Sequence, residues 1–147
     1  MNNGRKIMVV QIMMLLLRLA TANDVGLINT LIYELAEYER LQAFTTEEQL
    51  LRDGFGPQPK FRIIIAEWEG QPAGYALFFD CYSSCRGRGI FLEDLFVRSQ
   101  FRAKKIGKAL LARVAATDSS KWQIANEALG DLLTRTFKFA VTVTRLS

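Results

Sequence analysis

Two neighbouring acids, Glu93 and Asp94, lie inside an apolar run over residues 90–97. The run is typical of a strand, in which adjacent side chains face opposite sides, so one carboxylate should point into the fold or into a cleft. Burial raises the pKa of a carboxyl group and suits it to act as a general base. A structural salt bridge at the end of a strand would explain the same pair equally well, and both interpretations stay open.

Charge is segregated along the chain into two segments. Residues 34–53, the acidic segment, hold six acids and two bases, whereas residues 98–113, the basic segment, hold six bases and no acid. A basic turn between a strand and a helix suits a phosphate-bearing ligand, because free backbone N–H groups and the helix dipole converge there. A solvated basic helix face is the alternative. We expect no nucleic-acid partner, since the formal charge is only +4 and no nucleic-acid motif is present.

The chain contains no histidine, which excludes several kinds of site. A Ser-His-Asp triad, a Cys-His pair and a His-ligated metal all need that residue, so proton transfer would fall to carboxylates, Tyr, Lys, Cys or water. Cys81 and Cys85 supply two thiols where a structural zinc site needs four ligands, so we expect no metal. Two cysteines make no disulfide framework, and reduced thiols in a cytoplasmic protein are expected.

The N-terminus allows two interpretations. Arg5 and Lys6 precede an apolar run over residues 7–17, and Ala20-Thr21-Ala22 follows, which is the pattern of a secretory signal. The run is too short to span a bilayer, and no membrane partner is expected. We favour the alternative, a buried first strand that ends near Leu19.

The apolar periodicity predicts one domain over residues 1–147 with mixed α/β (α+β) character. After the first strand we expect helices over 21–41 and 46–54, a hairpin of strands over 61–67 and 73–81, a loop over 82–89, a strand over 90–97 and a helix over 102–116. Thr46 and Gln49 open the second helix as a capping box, and Gly54 ends it. Farther on, the sequence favours a turn over 118–121, a helix over 122–135 and a strand over 137–144.

Several motifs occur in an order typical of a known family. They are residues 18–25 (RLATANDV), 34–39 (ELAEYE), 53–56 (DGFG), 74–79 (GYALFF), 91–97 (FLEDLFV) and 101–111 (FRAKKIGKALL). Together they resemble the GNAT superfamily of N-acetyltransferases, and within it the diamine (spermidine/spermine or thialysine) acetyltransferase branch. The resemblance covers about residues 15–116. It implies a mixed, mostly antiparallel central sheet flanked by helices, with acetyl-CoA as co-substrate.

The resemblance also implies the two halves of a site. Acetyl-CoA would lie against Leu95, Phe96 and Val97, where a bulge offers a backbone N–H to the thioester carbonyl. The turn that would wrap the pyrophosphate comprises Arg102, Ala103, Lys104, Lys105, Ile106, Gly107 and Lys108. Glu93 would act as base or water relay and contact the substrate, and Tyr38 and Glu39 match the amine-binding pair. The acidic segment would then attract a small cationic amine while the basic segment holds CoA.

The chain departs from the family pattern in two places. Lys105 stands where the pyrophosphate turn has its first glycine, and Ala103 stands where glycine is common. Glycine allows close backbone approach and positive φ angles. The second departure is residues 117–147, which resemble none of the family's C-terminal part and lack the Tyr that commonly protonates the leaving thiolate. Truncation, a frameshift or alternative splicing would each explain this divergent tail.

The resemblance implies an acetyl-CoA-dependent N-acetyltransferase that acts on a polyamine-like or amino-acid-like primary amine by direct attack. The alternative is an impaired family member that binds CoA weakly or serves as an interaction module. The resemblance further implies a homodimer.

Overall fold

The computed structural model describes residues 14–85 and 87–117, together with the backbone of residues 124–125. The elements are β1 (Leu15–Leu19), α1 (Val25–Tyr38), α2 (Glu47–Phe55), β2 (Arg62–Trp68), β3 (Gln71–Ser83), β4 (Gly87–Val97), α3 (Ile106–Ala116) and β5 (Ile124–Ala125). The strands form one sheet in the order β1-β2-β3-β4-β5. All neighbours are antiparallel except β4 and β5, which are parallel. The expected mixed fold with a mostly antiparallel sheet is confirmed.

The core lies on both faces of the sheet. On one face α1 and α2 cover the sheet, where Ile28, Leu31 and Leu35 from one stripe of α1 pack against Ile65 and Tyr75. On the other face the buried side of α3 covers β2, β3 and β4. The alternating strand pattern and the helical spacing of apolar residues direct these side chains inward, where burial of apolar surface stabilises the fold.

The first strand is confirmed at its C-terminal end. Residues 15–19 pair in register with residues 64–68 of β2, and the strand stops at Leu19 as expected. Arg18 anchors it, because its guanidinium donates to both carboxylate oxygens of Asp24 at 2.8 Å and to Glu67 at 3.2 Å. The earlier part of the apolar run, residues 7–13, lies outside the described residues.

The second helix begins as predicted and ends one residue later. Thr46 accepts a hydrogen bond from the backbone N–H of Gln49 at 3.2 Å, and the Gln49 side chain accepts from the N–H of Thr46 at 3.1 Å. Gly54 lies inside α2 rather than ending it. A Cβ on Gly54 would lie 2.5 Å from the Phe61 ring, so close packing and not helix termination requires glycine here.

A β-bulge interrupts β4 at Glu93. Asp94 pairs with Leu77 of β3, but Leu92 pairs with Phe78, so Glu93 is an extra residue on its strand. The bulge reverses the alternation, which keeps Leu92 and Leu95 on the α3 side of the sheet. The expected bulge therefore exists but precedes residues 95–97, whose pairing with β3 is regular.

Other boundaries also differ from the predictions. The helix expected over residues 21–41 is a 3-10 turn at Ala22–Asp24 followed by α1 (Val25–Tyr38), and β3 begins at Gln71, two residues before the predicted start. The loop expected over residues 82–89 is shorter, because β3 runs to Ser83 and β4 begins at Gly87. The third helix begins at Ile106, since residues 102–105 form a turn that carries two left-handed backbone angles. A helix over residues 122–135 is wrong at residues 124–125, which pair with Ile90 and Phe91 as β5. The turn over 118–121 and the strand over 137–144 lie outside the described residues.

Candidate active site

A cavity of about 550 Å³ opens where the end of α1 meets the end of β4 and the turn before α3. Most of the predicted site residues line it: Tyr38, Glu39, Leu95, Phe96, Val97, Arg102, Ala103, Lys105, Ile106 and Gly107. Leu35 and Phe101 complete the wall. The fold thus brings the predicted amine-binding pair and most of the predicted CoA turn to one cavity. Glu93, Lys104 and Lys108 are predicted site residues that are not in its lining.

The turn adopts the backbone shape for which glycine is suited. Ala103 and Lys105 both have a φ of 62°, in the left-handed region. The family pattern has glycine at or near these positions, and left-handed φ angles give a conformational reason for it. Both side chains are exposed, so the strain falls on the backbone and not on packing. Lys104 extends to the Trp68 ring, with Nζ 5.0 Å from the ring centroid.

The N-terminus of α3 faces this cavity. The N–H of Ala109 bonds to the carbonyl of Lys105 at 3.1 Å, so the amides of residues 106–108 precede the intrahelical ladder. The Lys105 side chain does not cap the helix. Gly107 lines the cavity, and a Cβ there would meet only Val97 Cγ2, at 3.7 Å. This arrangement of amides, positive helix dipole and open space fits a pyrophosphate.

Arg102 connects the end of α1 to the end of β4 at the cavity wall. Its guanidinium carbon lies 4.6 Å above the centroid of the Tyr38 ring, and its Nε donates to the carbonyl of Val97 at 3.1 Å. Tyr38 itself is 65% exposed. The stacked pair therefore forms a cation–π contact at the mouth of the cavity.

One acid and one base of the two charged segments pair with each other. Arg98 makes two hydrogen bonds to the Glu34 carboxylate, at 2.8 and 2.9 Å, and a third to the carbonyl of Pro72 at 3.2 Å. This bidentate contact ties the end of β4 to α1 beside the cavity. The charges of Glu34 and Arg98 therefore compensate each other, although the charge pattern alone suggested that each would attract a ligand.

The adjacent acids of β4 have different environments. Glu93 is exposed, while the half-buried Asp94 turns toward the α1 face. The hydroxyl of Tyr75, itself 0% exposed, donates to Asp94 Oδ2 at 2.7 Å. Burial raises the pKa of Asp94, the Tyr75 hydrogen bond opposes that effect, and the negative charges of Glu93 and Glu39 add to it. One carboxylate does point inward, as expected, and it is Asp94 and not Glu93.

Tyr75 and Arg98 were not identified as site residues from the sequence. Tyr75 lies in the GYALFF motif, but nothing in its spacing indicates a partner 19 positions away. No group of three or more His, Cys, Asp or Glu side chains within the described ranges could hold a metal ion. In the same ranges, no helix has the length and apolar character needed to cross a bilayer.

The bulged β4 and the amide-lined turn that leads into α3 fit the fold of the GNAT family. Residues 28–125 match the profile of the acetyltransferase (GNAT) family, and the chain belongs to this family. The match extends past residue 116, where the resemblance in the sequence motifs stops, and includes β5.

Two named relatives illustrate the similarity. Thialysine N-epsilon-acetyltransferase of Sus scrofa is 41% identical over 110 residues, which cover 68% of this chain and 65% of that protein. Spermidine/spermine N(1)-acetyltransferase-like protein 1 of Homo sapiens is 37% identical over 108 residues, covering 67% of this chain and 16% of that protein. The chain thus spans slightly less than two thirds of the Sus scrofa relative.

Solved structures share the fold at low sequence identity. An aminoglycoside acetyltransferase from an uncultured soil metagenomic sample, in complex with sisomicin, superposes with a TM-score of 0.70 at 17% identity, covering 91% of this chain and 93% of that one. A protein described as a predicted acetyltransferase with acetyl-CoA, from Clostridium acetobutylicum, superposes with a TM-score of 0.69 at 18% identity, covering 91% of this chain and 95% of that one. At these identities the likeness concerns the fold alone.

Proposed function

We propose that the chain transfers an acetyl group from acetyl-CoA to a primary amine of a small polyamine-like or amino-acid-like substrate. The observation that carries the proposal is the single cavity lined by both the Tyr38–Glu39 pair and the turn before α3. An enzyme that transfers an acetyl group from CoA to a cationic amine needs two kinds of group on one surface. Acidic groups bind the amine, and phosphate-binding groups hold the CoA. The names of the thialysine and spermidine/spermine relatives support the same substrate class.

On the CoA side, the chain would bind and orient the phosphates. Acetyl-CoA would supply an activated thioester. The amides at the start of α3 would donate to the pyrophosphate, and the positive end of the helix would favour its charge. Lys105 adds a cation at the cavity wall. Leu95, Phe96 and Val97 supply the strand edge for the pantetheine arm.

On the amine side, the carboxylate of Glu39 and the ring of Tyr38 would hold the substrate's cationic groups. Glu93 would accept a proton from the substrate's ammonium group, directly or through a water molecule, and leave a neutral amine as the nucleophile. The exposed position of Glu93 on the bulge supports exchange of that proton with solvent. The amine would attack without a covalent enzyme intermediate. A water molecule would protonate the departing thiolate.

The test is release of CoA by the purified full chain, with acetyl-CoA and either spermidine or thialysine. Chromatographic detection is preferable to a thiol reagent, because Cys85 is exposed. We expect Glu93→Gln to lower kcat at least about 100-fold, in line with loss of a general base. Glu69→Gln, at the exposed β2–β3 turn, is the matched control and should match the wild type. If the wild-type chain released CoA no faster than the Glu93→Gln variant, the proposal would be refuted.

Gly107→Ala tests the CoA side separately. Its Cβ has room in the fold, so folding should be preserved or slightly stabilised, yet the methyl group would occupy the space at the helix N-terminus. We expect acetyl-CoA affinity, measured by calorimetry, to fall about tenfold. Unchanged affinity would place the pyrophosphate elsewhere.

A second candidate function is weak CoA binding without turnover, or a role as an interaction module. Ala103 and Lys105 favour it, because both hold left-handed angles without being glycine. Micromolar acetyl-CoA binding together with turnover would dismiss this alternative. The expected homodimer rests on the resemblance and the expected cytoplasmic location on the two cysteines. Sedimentation tests the first and cell fractionation the second.

A further inference from the structure

The turn before α3 has its strain on two residues. Ala103 and Lys105 both hold left-handed φ angles of 62°, and both line the proposed CoA side of the cavity. Such angles are unfavourable for a residue with a Cβ, so the turn keeps this shape only because surrounding contacts hold it. Lys104 lies between the two strained residues, and a contact made by its side chain therefore acts on both.

Lys104 lies over an aromatic ring of the sheet. Its Nζ is 5.0 Å from the centroid of the Trp68 ring, which is within the range of a cation–π contact. Unlike its two neighbours, Lys104 does not line the cavity. Its positive charge is therefore directed to the ring, while the residues on either side of it face the cavity.

Trp68 is a firm support for this contact. It is the last residue of β2 and pairs with Leu15 of β1 on one side and with Gln71 of β3 on the other. Its half-buried ring packs against the apolar core beneath α3. The end of β4 lies at the same end of the sheet, since Val97 pairs with Gly74 near the start of β3. The turn that follows β4 thus rests on Trp68.

Other contacts hold the turn at its two ends. Before the strained segment, Phe101 is buried and the Nε of Arg102 donates to the carbonyl of Val97 at 3.1 Å. After it, Ile106 is buried at the start of α3. Between these anchors, the contact of Lys104 with Trp68 ties the strained segment to the sheet.

We propose that Trp68 is a positioning residue for acetyl-CoA, because through Lys104 it holds the turn whose amides would bind the pyrophosphate. This inference rests on the proposed function. It gives Lys104 an indirect part in place of the direct phosphate contact that the resemblance implies. Without the contact, the turn spends less time in the shape that binds, and the apparent affinity falls with that fraction.

The test is a double-mutant cycle on the affinity of the full chain for acetyl-CoA, measured by calorimetry. Lys104→Met removes the cation and keeps an apolar stem, and Trp68→Leu removes the ring. We expect each substitution to raise the Kd about three- to fivefold, in line with an exposed cation–π contact. The doubly substituted chain should show the same rise, because either change breaks the same contact.

Two outcomes of the cycle would overturn the proposal. One is a rise in the doubly substituted chain equal to the product of the two single effects, about 10- to 25-fold, since independent effects add as free energies. This outcome would mean that Lys104 contacts the phosphates directly. The other is an unchanged Kd in either single variant.

Conservative variants give a readout that a merely structural role would not produce. Trp68→Phe keeps an aromatic face and Lys104→Arg keeps a cation, so both should bind acetyl-CoA within about twofold of the wild type. Lys60→Met is the matched control, because it removes an exposed charge before the opposite end of β2 and should leave the Kd unchanged. Thermal unfolding verifies that each variant is folded at the assay temperature. If folded Trp68→Phe bound as weakly as Trp68→Leu, the ring would not be the means of positioning, and the proposal would fail.

Failure of the proposed function is distinguishable from failure of this inference. A chain that binds acetyl-CoA but releases no CoA with either amine would refute the proposed function, and the cycle would still decide the role of Trp68. Turnover by the wild type, together with independent effects of the two substitutions, would refute the inference alone. A wild-type chain that does not bind acetyl-CoA would refute both.

Discussion

Left-handed backbone angles at Ala103 and Lys105 show how single residues form the turn before α3. A side chain at such an angle costs roughly 1–2 kcal/mol, because its Cβ approaches the following carbonyl oxygen. The resemblance to a glycine-containing turn singled out these two positions. The angles give the physical reason for that pattern, and the rest of the fold holds the turn despite the strain.

Replacing either residue with glycine should stabilise the protein. For Ala103→Gly and for Lys105→Gly we expect the free energy of unfolding to rise by about 0.5–1 kcal/mol, since relief of strain exceeds the added entropy of the unfolded chain. Urea denaturation measures the change. Lys104→Gly is the control, because Lys104 has no positive φ and contacts the Trp68 ring, so this variant should be less stable. If both Ala103→Gly and Lys105→Gly were less stable than the wild type, the left-handed angles would not be a source of strain.

At the scale of elements, one arginine adds side-chain contacts to the backbone pairing of β1 with β2. Arg18 bridges Asp24, in the 3-10 turn before α1, and Glu67 on β2. The hydrogen bonds and charge of Arg18 lower the pKa of Asp24 to about 2. A carboxylate whose pKa is lower in the folded than in the unfolded protein stabilises the fold above its unfolded pKa, and this stabilisation is lost as pH falls toward the folded value.

This dependence on pH predicts that acid weakens the stabilisation of the fold by the Arg18–Asp24 pair at β1. Between about pH 4 and pH 2 the wild type should lose about 2 kcal/mol of unfolding free energy that Asp24→Asn does not lose, because the variant has no carboxylate to protonate. The variant should be less stable than the wild type at neutral pH. Denaturant titrations at each pH measure both proteins. Parallel pH curves for the two would show that the Arg18–Asp24 pair contributes nothing.

At the scale of the whole molecule, the fold brings distant segments of opposite charge to one cavity. Tyr38 and Glu39 come from the acidic segment, and Arg102 and Lys105 come from the basic segment more than 60 positions later. The sheet between them depends on β1, because β1 covers the outer edge of β2 over five residue pairs. Loss of this strand would therefore affect the whole domain.

A chain that begins at Asn23, as cleavage after Ala22 would produce, tests this dependence. It lacks β1 and both ion pairs of Arg18, so we expect it to lose cooperative thermal unfolding, followed by circular dichroism. A chain that begins at Met13 keeps β1 and separates the effect of the strand from that of the first twelve residues. Normal unfolding of the shorter chain would mean that β1 is dispensable.

Local sequence signals predicted the order and most of the described elements. The capping box at Thr46 placed the start of α2, and the Glu69-Gly70 turn placed the β2–β3 hairpin, because both signals act within a few residues. The motifs placed Tyr38, Glu39 and the turn before α3 in one site. The start of α3 was predicted four residues early, since the basic turn has no local signal that separates it from a helix.

The amino-acid sequence by itself determined which residues are apolar, where turns and caps lie, and that one of two adjacent carboxylates turns inward. Only the tertiary structure decided that this carboxylate is Asp94. The choice depends on the bulge at Glu93, and the bulge depends on pairing between β3 and β4. It also depends on Tyr75, whose hydroxyl reaches Asp94 across that pairing. Contacts between separate strands set such details, because no short stretch of sequence contains both partners.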